Sequence, residues 1–247
     1  MPVVIRLTYM PESIFHFKQF SVKQDLSAMK VGTDGVLLGA WTHAQESKRI
    51  LDAGCGTGLI TLMLAQRSNA FIDAIDIDKS AILQTKENTS NSIWNNRLNT
   101  YQTSLQDHAQ NSNFKYDLVV SNPPFFSNAL RPGNDARAKA RHNHLLPFNE
   151  LIGSSWNLLS DDGSLSLILP YEVSHEVVAE ALKKGFFIKR TCKVIPKQDK
   201  APKRILIEFT KYQYPPKSEE ILVIEKEKRH QYTEEYIRLT KDFYIKF

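Results

Sequence analysis

A glycine-rich turn between two apolar segments constrains the fold of this chain more than any other feature. Residues Arg49–Ala53 have the composition of a buried strand, and the sequence GCGTG follows at positions 54–58. Residues Leu59–Arg67 then have the composition of a helix, without glycine or proline. Because glycine has no Cβ, a turn of this kind lets the backbone lie directly against a ligand. The segment therefore predicts an α/β fold with a ligand at this junction.

Strand-like and helix-like segments continue to alternate along the chain, as a parallel α/β sheet requires. Further strands are predicted at 71–77, 98–104, Tyr116–Ser121 and 164–169, with antiparallel closing strands at 186–195 and 204–212 and a strand-like run at 221–225. Further helices are predicted at 79–88, 146–159, 172–184 and, docked by Tyr236, Leu239 and Phe243, at 232–247. The predicted fold class is α/β, a Rossmann-like domain whose seven-stranded, mostly parallel sheet has helices on both faces.

The composition limits the classes of protein to consider. With 247 residues, 42% of them apolar, the chain is long enough for one domain with a core of its own. Cys55 and Cys192 lie far apart and in no metal-ligand spacing, so we expect a reducing compartment and no metal. Arg6 interrupts the apolar residues among the first ten, so we expect no signal peptide. No segment approaches ~18 apolar residues, so we expect no membrane span and a cytoplasmic protein. The net charge of +5 favours a polyanionic partner only weakly.

Gly54, Gly56 and Gly58 are the predicted backbone contacts of the ligand. The helix after them presents free N–H groups and a partial positive charge, which suit an anionic group such as a carboxylate. Asp76 ends the second strand 18 positions after Gly58, where its carboxylate can accept hydrogen bonds from a ribose diol. A glycine turn without a ligand is the alternative, which the flanking strand, helix and Asp76 disfavour.

Two residues decide which nucleoside-containing ligand is favoured. Dinucleotide-binding turns space their glycines as GxGxxG, but position 59 is Leu59. Asp52, two residues before the first glycine, suits S-adenosylmethionine (SAM), whose methionyl end it would help to hold. We therefore favour SAM over a dinucleotide.

The motif Asn122-Pro123-Pro124-Phe125 follows the strand Tyr116–Ser121, at the edge where ligands bind in such sheets. An aromatic exocyclic amine is a poor nucleophile because its lone pair is delocalised into the ring. The side-chain oxygen of Asn122 and the carbonyl of Pro123 are two acceptors for its N–H groups, and Phe125 can stack on a base swung out of its stack. The motif predicts in-line methyl transfer to such an amine, controlled by positioning rather than by a strong base.

A structural explanation of this motif stays open. A proline-capped strand with apolar residues tucked into the core would give the same sequence. Beside the glycine turn, the catalytic interpretation is favoured for the four residues of the motif. Phe126 is as well suited to core packing as to contact with a base.

At this motif the chain resembles the class I SAM-dependent amino-methyltransferases with a (D/N/S)PP(Y/F) sequence. The segments 15–20 (FHFKQF) and 28–41 (AMKVGTDGVLLGAW) resemble the N-terminal block of the bacterial tRNA1(Val) (adenine-37-N6)-methyltransferase family. The segments 122–126, 140–142, 203–206 and 232–247 resemble the same family. This resemblance implies SAM as the donor and, as the acceptor, the adenine beside the anticodon of a valine tRNA.

The resemblance also implies roles outside the two motifs. Lys30, Thr33 and Asp34 would cover the methionyl end of SAM, although either of the last two could instead cap the following helix. Residues 1–45 would form a cap over the SAM site, 46–213 the core and 214–247 an extension of one methyltransferase domain.

The expected contacts of the SAM adenine are less well marked. Many related enzymes have a carboxylate after the third strand, where this chain has Ser104-Leu105. Ile77, Ser104 and the main chain of Leu105 complete the predicted cofactor contacts.

Cations concentrate just after the Asn-Pro-Pro-Phe motif and again before a closing strand. They are predicted to hold RNA phosphates around a flipped base, although a solvated cationic loop would look similar. These predicted RNA-binding residues are Arg131, Arg137, Lys139, Arg141, His142, Lys203 and Arg204.

Other acceptors and another class of protein remain open at this point. Related motifs methylate protein glutamine, guanine N2 in ribosomal RNA or adenine in DNA, and the glutamine enzymes usually have tyrosine at the position of Phe125. A non-catalytic RNA-binding protein on the same fold is disfavoured by the intact Gly54, Gly56, Asp76 and Asn122. We expect a monomer that acts on tRNA.

Overall fold

A mostly parallel β-sheet forms the centre of the protein, as seen in a computed structural model that describes residues 13–27, 30–124, 147–215 and 219–247. A short hairpin precedes it, formed by β1 (Ile14–His16) and β2 (Ser21–Lys23). The strands of the sheet are β3 (Arg49–Ala53), β4 (Phe71–Asp76), β5 (Leu98–Gln102), β6 (Tyr116–Ser121), β7 (Leu159–Pro170), β8 (Phe187–Lys197), β9 (Arg204–Thr210) and β10 (Glu220–Glu225).

The order of the strands is β10-β8-β9-β7-β6-β3-β4-β5, and β9 alone among these runs antiparallel to its neighbours. In the described residues the sheet has eight strands, one more than the seven predicted, because β10 pairs in parallel with β8 and extends the sheet. The carboxyl ends of β3, β6, β8 and β10 therefore lie along one edge, where the amino end of β9 joins them.

Helices cover both faces of this sheet. They are α1 (Thr33–Trp41), α2 (Leu59–Arg67), α3 (Lys79–Ser90), α4 (Leu105–Asn111), α5 (Phe148–Leu158), α6 (Ser174–Lys184) and α7 (Glu234–Thr240), with 3-10 turns at Asn95–Arg97 and Tyr171–Val173. Successive strand residues point to opposite faces, so Ile50 packs with α1 and α2 whereas Leu51 packs with α5 and α6. The predicted two-sided α/β fold is confirmed. In the described parts of the chain, no helix has the length and apolar character to cross a bilayer.

Three elements differ from their predicted form. β5 ends at Gln102, and α4 begins where the prediction has the end of a strand. β7 begins at Leu159, within the predicted helix 146–159. The predicted terminal helix is limited to α7, although Tyr236 and Phe243 of this segment are buried and Leu239 packs against the core as expected.

Candidate active site

The turn after β3 adopts a backbone that favours glycine at three positions. The φ angles of Gly54, Gly56 and Gly58 are 77°, 57° and 79°, in the left-handed region. The N–H groups of Gly54 and Cys55 both donate to the carbonyl of Ile75 in the neighbouring strand, at 2.9 and 3.0 Å. A Cβ built on Gly54 or Gly56 would meet no protein atom within 4 Å. The backbone of the turn therefore faces space that a ligand can fill.

Helix α3 holds the turn from behind through polar side chains. The Thr85 hydroxyl donates to the carbonyl of Gly56 at 2.9 Å, and the Asn88 amide donates to the carbonyl of Thr57 at 2.8 Å. Asn88 also exchanges two hydrogen bonds with the backbone of Lys23, so it joins the β1–β2 hairpin to the turn. None of these polar residues of α3 is among the predicted site residues. The buried face of α3 is polar, and that departure from an apolar helix face is the signal that points to them.

Asp76 supports the glycine turn directly. One carboxylate oxygen accepts from the N–H of Gly56 at 3.0 Å and the other from the N–H of Asp78 at 2.9 Å. Burial raises the pKa of the Asp76 carboxyl, while these two N–H donors act in the opposite direction. Each carboxylate oxygen keeps a further lone pair, so the predicted contact with a ribose is compatible with this supporting role.

Asp52 lies beneath the turn and is fully buried. One of its oxygens accepts from the Thr61 hydroxyl at 2.6 Å, while Oδ1 has no hydrogen-bond partner among the described residues. Burial raises the pKa of Asp52 to about 7, with a smaller contribution from the charge of Asp76. A buried acceptor without a donor suits a cationic group bound nearby, such as the ammonium of a methionyl chain.

The start of α1 lies beside the glycine turn, as the resemblance of the N-terminal segment implies. The alternative prediction, that Thr33 or Asp34 caps this helix, is wrong. Gly32 occupies the N-cap position and has no side chain to donate or accept. Asp34 instead accepts from Nε of Arg204 at 2.7 Å, across 170 residues of sequence. The Lys30 ammonium donates to the carbonyl of Gln24 and thereby folds the preceding segment back.

A cavity of about 300 Å³ joins the two sequence motifs. The residues that line it are Lys30, Gly32, Thr33, Asp34, Gly35, Gly54, Cys55, Gly56, Thr57, Leu59, Ile60 and Asn122. The Ser121 hydroxyl donates to the carbonyl of Ala53 at 2.7 Å, which holds the ends of β6 and β3 together. The glycine turn and the start of the Asn-Pro-Pro sequence therefore open onto one space. Open glycine backbone, an unpaired buried carboxylate oxygen and a polar rim fit SAM.

The three residues of the Asn-Pro-Pro sequence differ in exposure. Asn122 is half-buried, Pro123 is buried and Pro124 is exposed. Phe125 and Phe126 lie outside the described residues. The predicted RNA contacts in the following loop also lie outside them, namely Arg131, Arg137, Lys139, Arg141 and His142.

The remaining predicted site residues do not line this cavity. Ile77 is exposed, Leu105 is buried in the core, and the Ser104 side chain caps α4 by accepting from the N–H of Asp107 at 3.0 Å. Lys203 is exposed, with its ammonium 4.0 Å from the Glu172 carboxylate. Arg204 is half-buried, and its guanidinium makes the ion pair with Asp34 at the cavity. Its contact with RNA stays a prediction.

A parallel sheet with a glycine turn after one strand and an Asn-Pro-Pro turn after its neighbour defines a class I methyltransferase. Solved structures share this fold at low sequence identity. A predicted O-methyltransferase from Agrobacterium tumefaciens has a TM-score of 0.63 and 16% identity, covering 85% of this chain and 96% of its own. A ribosomal protein L11 methylase from Lactobacillus delbrueckii has a TM-score of 0.55 and 14% identity, covering 81% of this chain and 100% of its own. Residues 27–199 match the methyltransferase small domain family.

The chain belongs to the family of tRNA1(Val) (adenine(37)-N6)-methyltransferases. A protein of that name from Parabacteroides distasonis is 46% identical over 96% of this chain and 100% of its own length. Another from Trichodesmium erythraeum is 44% identical over 94% of this chain and 98% of its own length. A third, from Haemophilus influenzae, is 42% identical over 95% of this chain and 100% of its own length.

Proposed function

We propose that this protein transfers a methyl group from SAM to N6 of adenine 37 in tRNA1(Val). The observation that carries the proposal is the cavity shared by the glycine turn and Asn122. Because one space adjoins both motifs, a donor on the glycine backbone faces a group held by Asn122. The names of the relatives in the family support tRNA1(Val) and adenine 37 as the acceptor.

Asn122 and Pro123 carry the chemistry at the acceptor. SAM supplies the methyl group, bound to a sulfonium. The Asn122 side-chain oxygen and the Pro123 carbonyl accept the two N–H groups of the adenine amine and direct its lone pair toward the methyl carbon. As the N–C bond forms, the C–S bond would break, S-adenosylhomocysteine would leave and the amine would lose one proton to solvent. The hydrogen bond from Ser121 to Ala53 fixes the distance between the two turns, so positioning replaces a general base. Phe125 stacks on the flipped adenine.

Some of the proposed cofactor contacts line the cavity and the others lie beside or beneath it. Lys30, Thr33 and Asp34 enclose the methionyl end from the N-terminal side, and Arg204 holds Asp34 in place. Asp52 attracts the methionyl ammonium from below the turn. Asp76 supports the turn and accepts from the ribose. Gly54 and Gly56 provide the backbone surface between them, whereas Gly58 starts α2 behind this surface, where a Cβ would meet Thr85 at 2.9 Å. Ile77, Ser104 and Leu105 lie outside this cavity and would border the adenine beyond it.

The tRNA is held by cations around the acceptor, with Lys203 among them and the others in the loop after the Asn-Pro-Pro-Phe motif. The protein acts as a monomer in the cytoplasm. Two free thiols, Cys55 and Cys192, both buried, suit a reducing compartment. Residues 1–45 act as the cap over SAM, 46–213 as the core and 214–247 as the extension.

The proposal is tested by nucleoside analysis. Purified protein is incubated with methyl-labelled SAM and total RNA from a strain that lacks the gene. We expect N6-methyladenosine in the tRNA fraction, at the position next to the anticodon of tRNA1(Val). Label in guanosine of ribosomal RNA, or in added DNA or protein but not in tRNA, would contradict the proposal and identify the alternative acceptor.

A further inference from the structure

Another cavity lies at the same sheet edge and meets the first one. It measures about 520 Å³ and is bordered by Pro196 near the end of β8 and by Ile224 and Glu225 at the end of β10. Gly32 and Thr33 line both cavities. Because β8 and β10 run parallel to β6, their carboxyl ends lie on the edge where the Asn-Pro-Pro sequence follows β6. The glycine turn and Asp76 lie on the opposite side of β6, so the second cavity adjoins the acceptor side.

The walls of this cavity are rich in aromatic rings. They are Phe15, Tyr232, Tyr236, Tyr244 and Phe247. Phe247 is 45% exposed, whereas Tyr236 is buried and closes the back of the wall. The ring of Phe247 meets Tyr232 at 81° and Tyr244 at 88°, with centroids 6.1 and 5.7 Å apart. Such edge-on contacts fix the orientation of the ring and leave part of it accessible to a flat group.

Cations line the rim of the same cavity. The cations Arg229 and Lys246 are exposed there together with His230, and the carboxylate of Glu225 is half-buried beside them. Glu225 accepts from the backbone N–H of His230 at 2.9 Å, so one of its oxygens is engaged in the turn. His230 has a φ of 64°, in the left-handed region that histidine adopts more readily than most residues with a Cβ. Positive charge beside accessible aromatic rings is the chemistry that binds unpaired nucleotides.

We propose that this second cavity binds an unpaired nucleotide adjacent to the methylated adenine, which rests on the proposed function of the first cavity. Phe247 stacks on the base, and Arg229 and Lys246 hold the phosphate. A base flipped into a catalytic cavity leaves its neighbours unstacked, and single-stranded loops are read by such stacking. The two cavities adjoin at Gly32 and Thr33, so the second cavity lies next to the one that Asn122 lines.

Stacking is tested at Phe247. The substitution Phe247→Leu keeps an apolar side chain and removes the ring, while Phe247→Trp keeps a ring. The matched control is Phe71→Leu, at the start of β4 on the other sheet edge, where the phenylalanine is 53% exposed. We expect Phe247→Leu to weaken binding of a labelled anticodon stem-loop about tenfold, with Phe247→Trp and Phe71→Leu near wild type. Equal affinities for the two leucine variants would overturn the proposal.

Phosphate contact is tested by salt dependence. In the double variant Arg229→Ala/Lys246→Ala, the slope of log affinity against log salt should fall in magnitude by about 0.7 for each lost contact. The control is Lys183→Ala/Lys184→Ala, two exposed cations of α6. An unchanged slope would overturn the phosphate assignment.

Binding is measured without catalysis, so the two proposals fail separately. A wild-type protein that makes no N6-methyladenosine contradicts the proposed function. A wild-type protein that makes it, with Phe247→Leu binding RNA normally and showing no increase in the RNA Michaelis constant, contradicts only the nucleotide site.

Discussion

Among single residues, substitution of Asn122 is expected to affect methyl transfer most directly. Removing its side-chain oxygen in Asn122→Ala takes away one of two acceptors for the amine, and a loss of transfer of at least about 100-fold is expected. Asn122→Asp keeps an acceptor oxygen and should retain far more activity. Calorimetric titration with SAM should show that the Ala variant still binds the donor, because the glycine turn is untouched. Normal turnover by Asn122→Ala on the tRNA would rule out the amine clamp.

Asp52 gives the stability of the protein without ligand a distinctive pH dependence. Its pKa is about 7 when folded because of burial, and ~3.9 in an unfolded chain. Folding therefore favours the protonated carboxyl. The stability that this carboxyl contributes is fully present below pH ~4 and is lost as the pH rises to about 7. Asp52→Asn removes this loss and should raise the free energy of unfolding by about 2–4 kcal/mol at pH 8, with little change near pH 4.

Denaturant unfolding at several pH values measures this difference. The Thr61 hydroxyl can donate to asparagine as it does to aspartate, so the native hydrogen bond is preserved. The control is Asp162→Asn, an exposed carboxylate that should follow wild type at each pH. If Asp52→Asn raised the free energy of unfolding equally at pH 4 and pH 8, the carboxyl of Asp52 would not be losing its proton in this pH range.

At the scale of elements, the close packing of α1 on α2 depends on Gly39. A Cβ at this position would lie 2.8 Å from Sδ and 2.9 Å from Cβ of Met63, and the second atom cannot move without the helix. Gly39→Ala should therefore lower the free energy of unfolding by about 1–3 kcal/mol despite the better helix propensity of alanine. Gly153→Ala, in α5 with nothing within 4 Å, should instead raise it by about 0.4–1 kcal/mol.

Thermal and denaturant unfolding measure both variants. Because Gly39→Ala and Gly153→Ala are the same chemical change within a helix, the difference between them reports packing and not helix propensity. Destabilisation by both substitutions, or by neither, would contradict the packing argument for α1 and α2.

The strength of the local pattern decides which elements the sequence predicts. β3, α2 and β6 have the predicted bounds because glycine or proline marks an end of each apolar-rich segment: Gly54 follows β3, Gly58 precedes α2, and Pro123 lies two residues after the end of β6. The hairpin strands have three residues each, too few for a period to show. In α4 only Leu105 is buried, so the sequence LQDHAQN carries no apolar face. The pairing of Asp34 with Arg204 spans 170 residues and depends on the completed sheet.

At the scale of the whole molecule, the N-terminal hairpin is held by the C-terminal segment. The backbone N–H of Lys18 donates to the carbonyl of Phe243 at 2.8 Å. The ring of Tyr244 stacks on Phe17 with centroids 5.9 Å apart and meets Phe15 at 6.3 Å. The hairpin in turn bonds to Asn88, which holds the glycine turn. The two ends of the described chain are therefore mechanically connected to the donor cavity, which the sequence motifs do not indicate.

Tyr244→Ala tests this connection. Loss of the ring contacts should lower the free energy of unfolding by about 2 kcal/mol, because the side chain is only partly buried. Hydrogen exchange should increase in the segment 13–27, far along the chain from the substitution, while the amides of β6 stay protected. Tyr212→Ala, at an exposed tyrosine on the other sheet edge, is the control and should leave the hairpin unchanged. If exchange in 13–27 did not differ between the two variants, the ring of Tyr244 would not be what holds the hairpin in place.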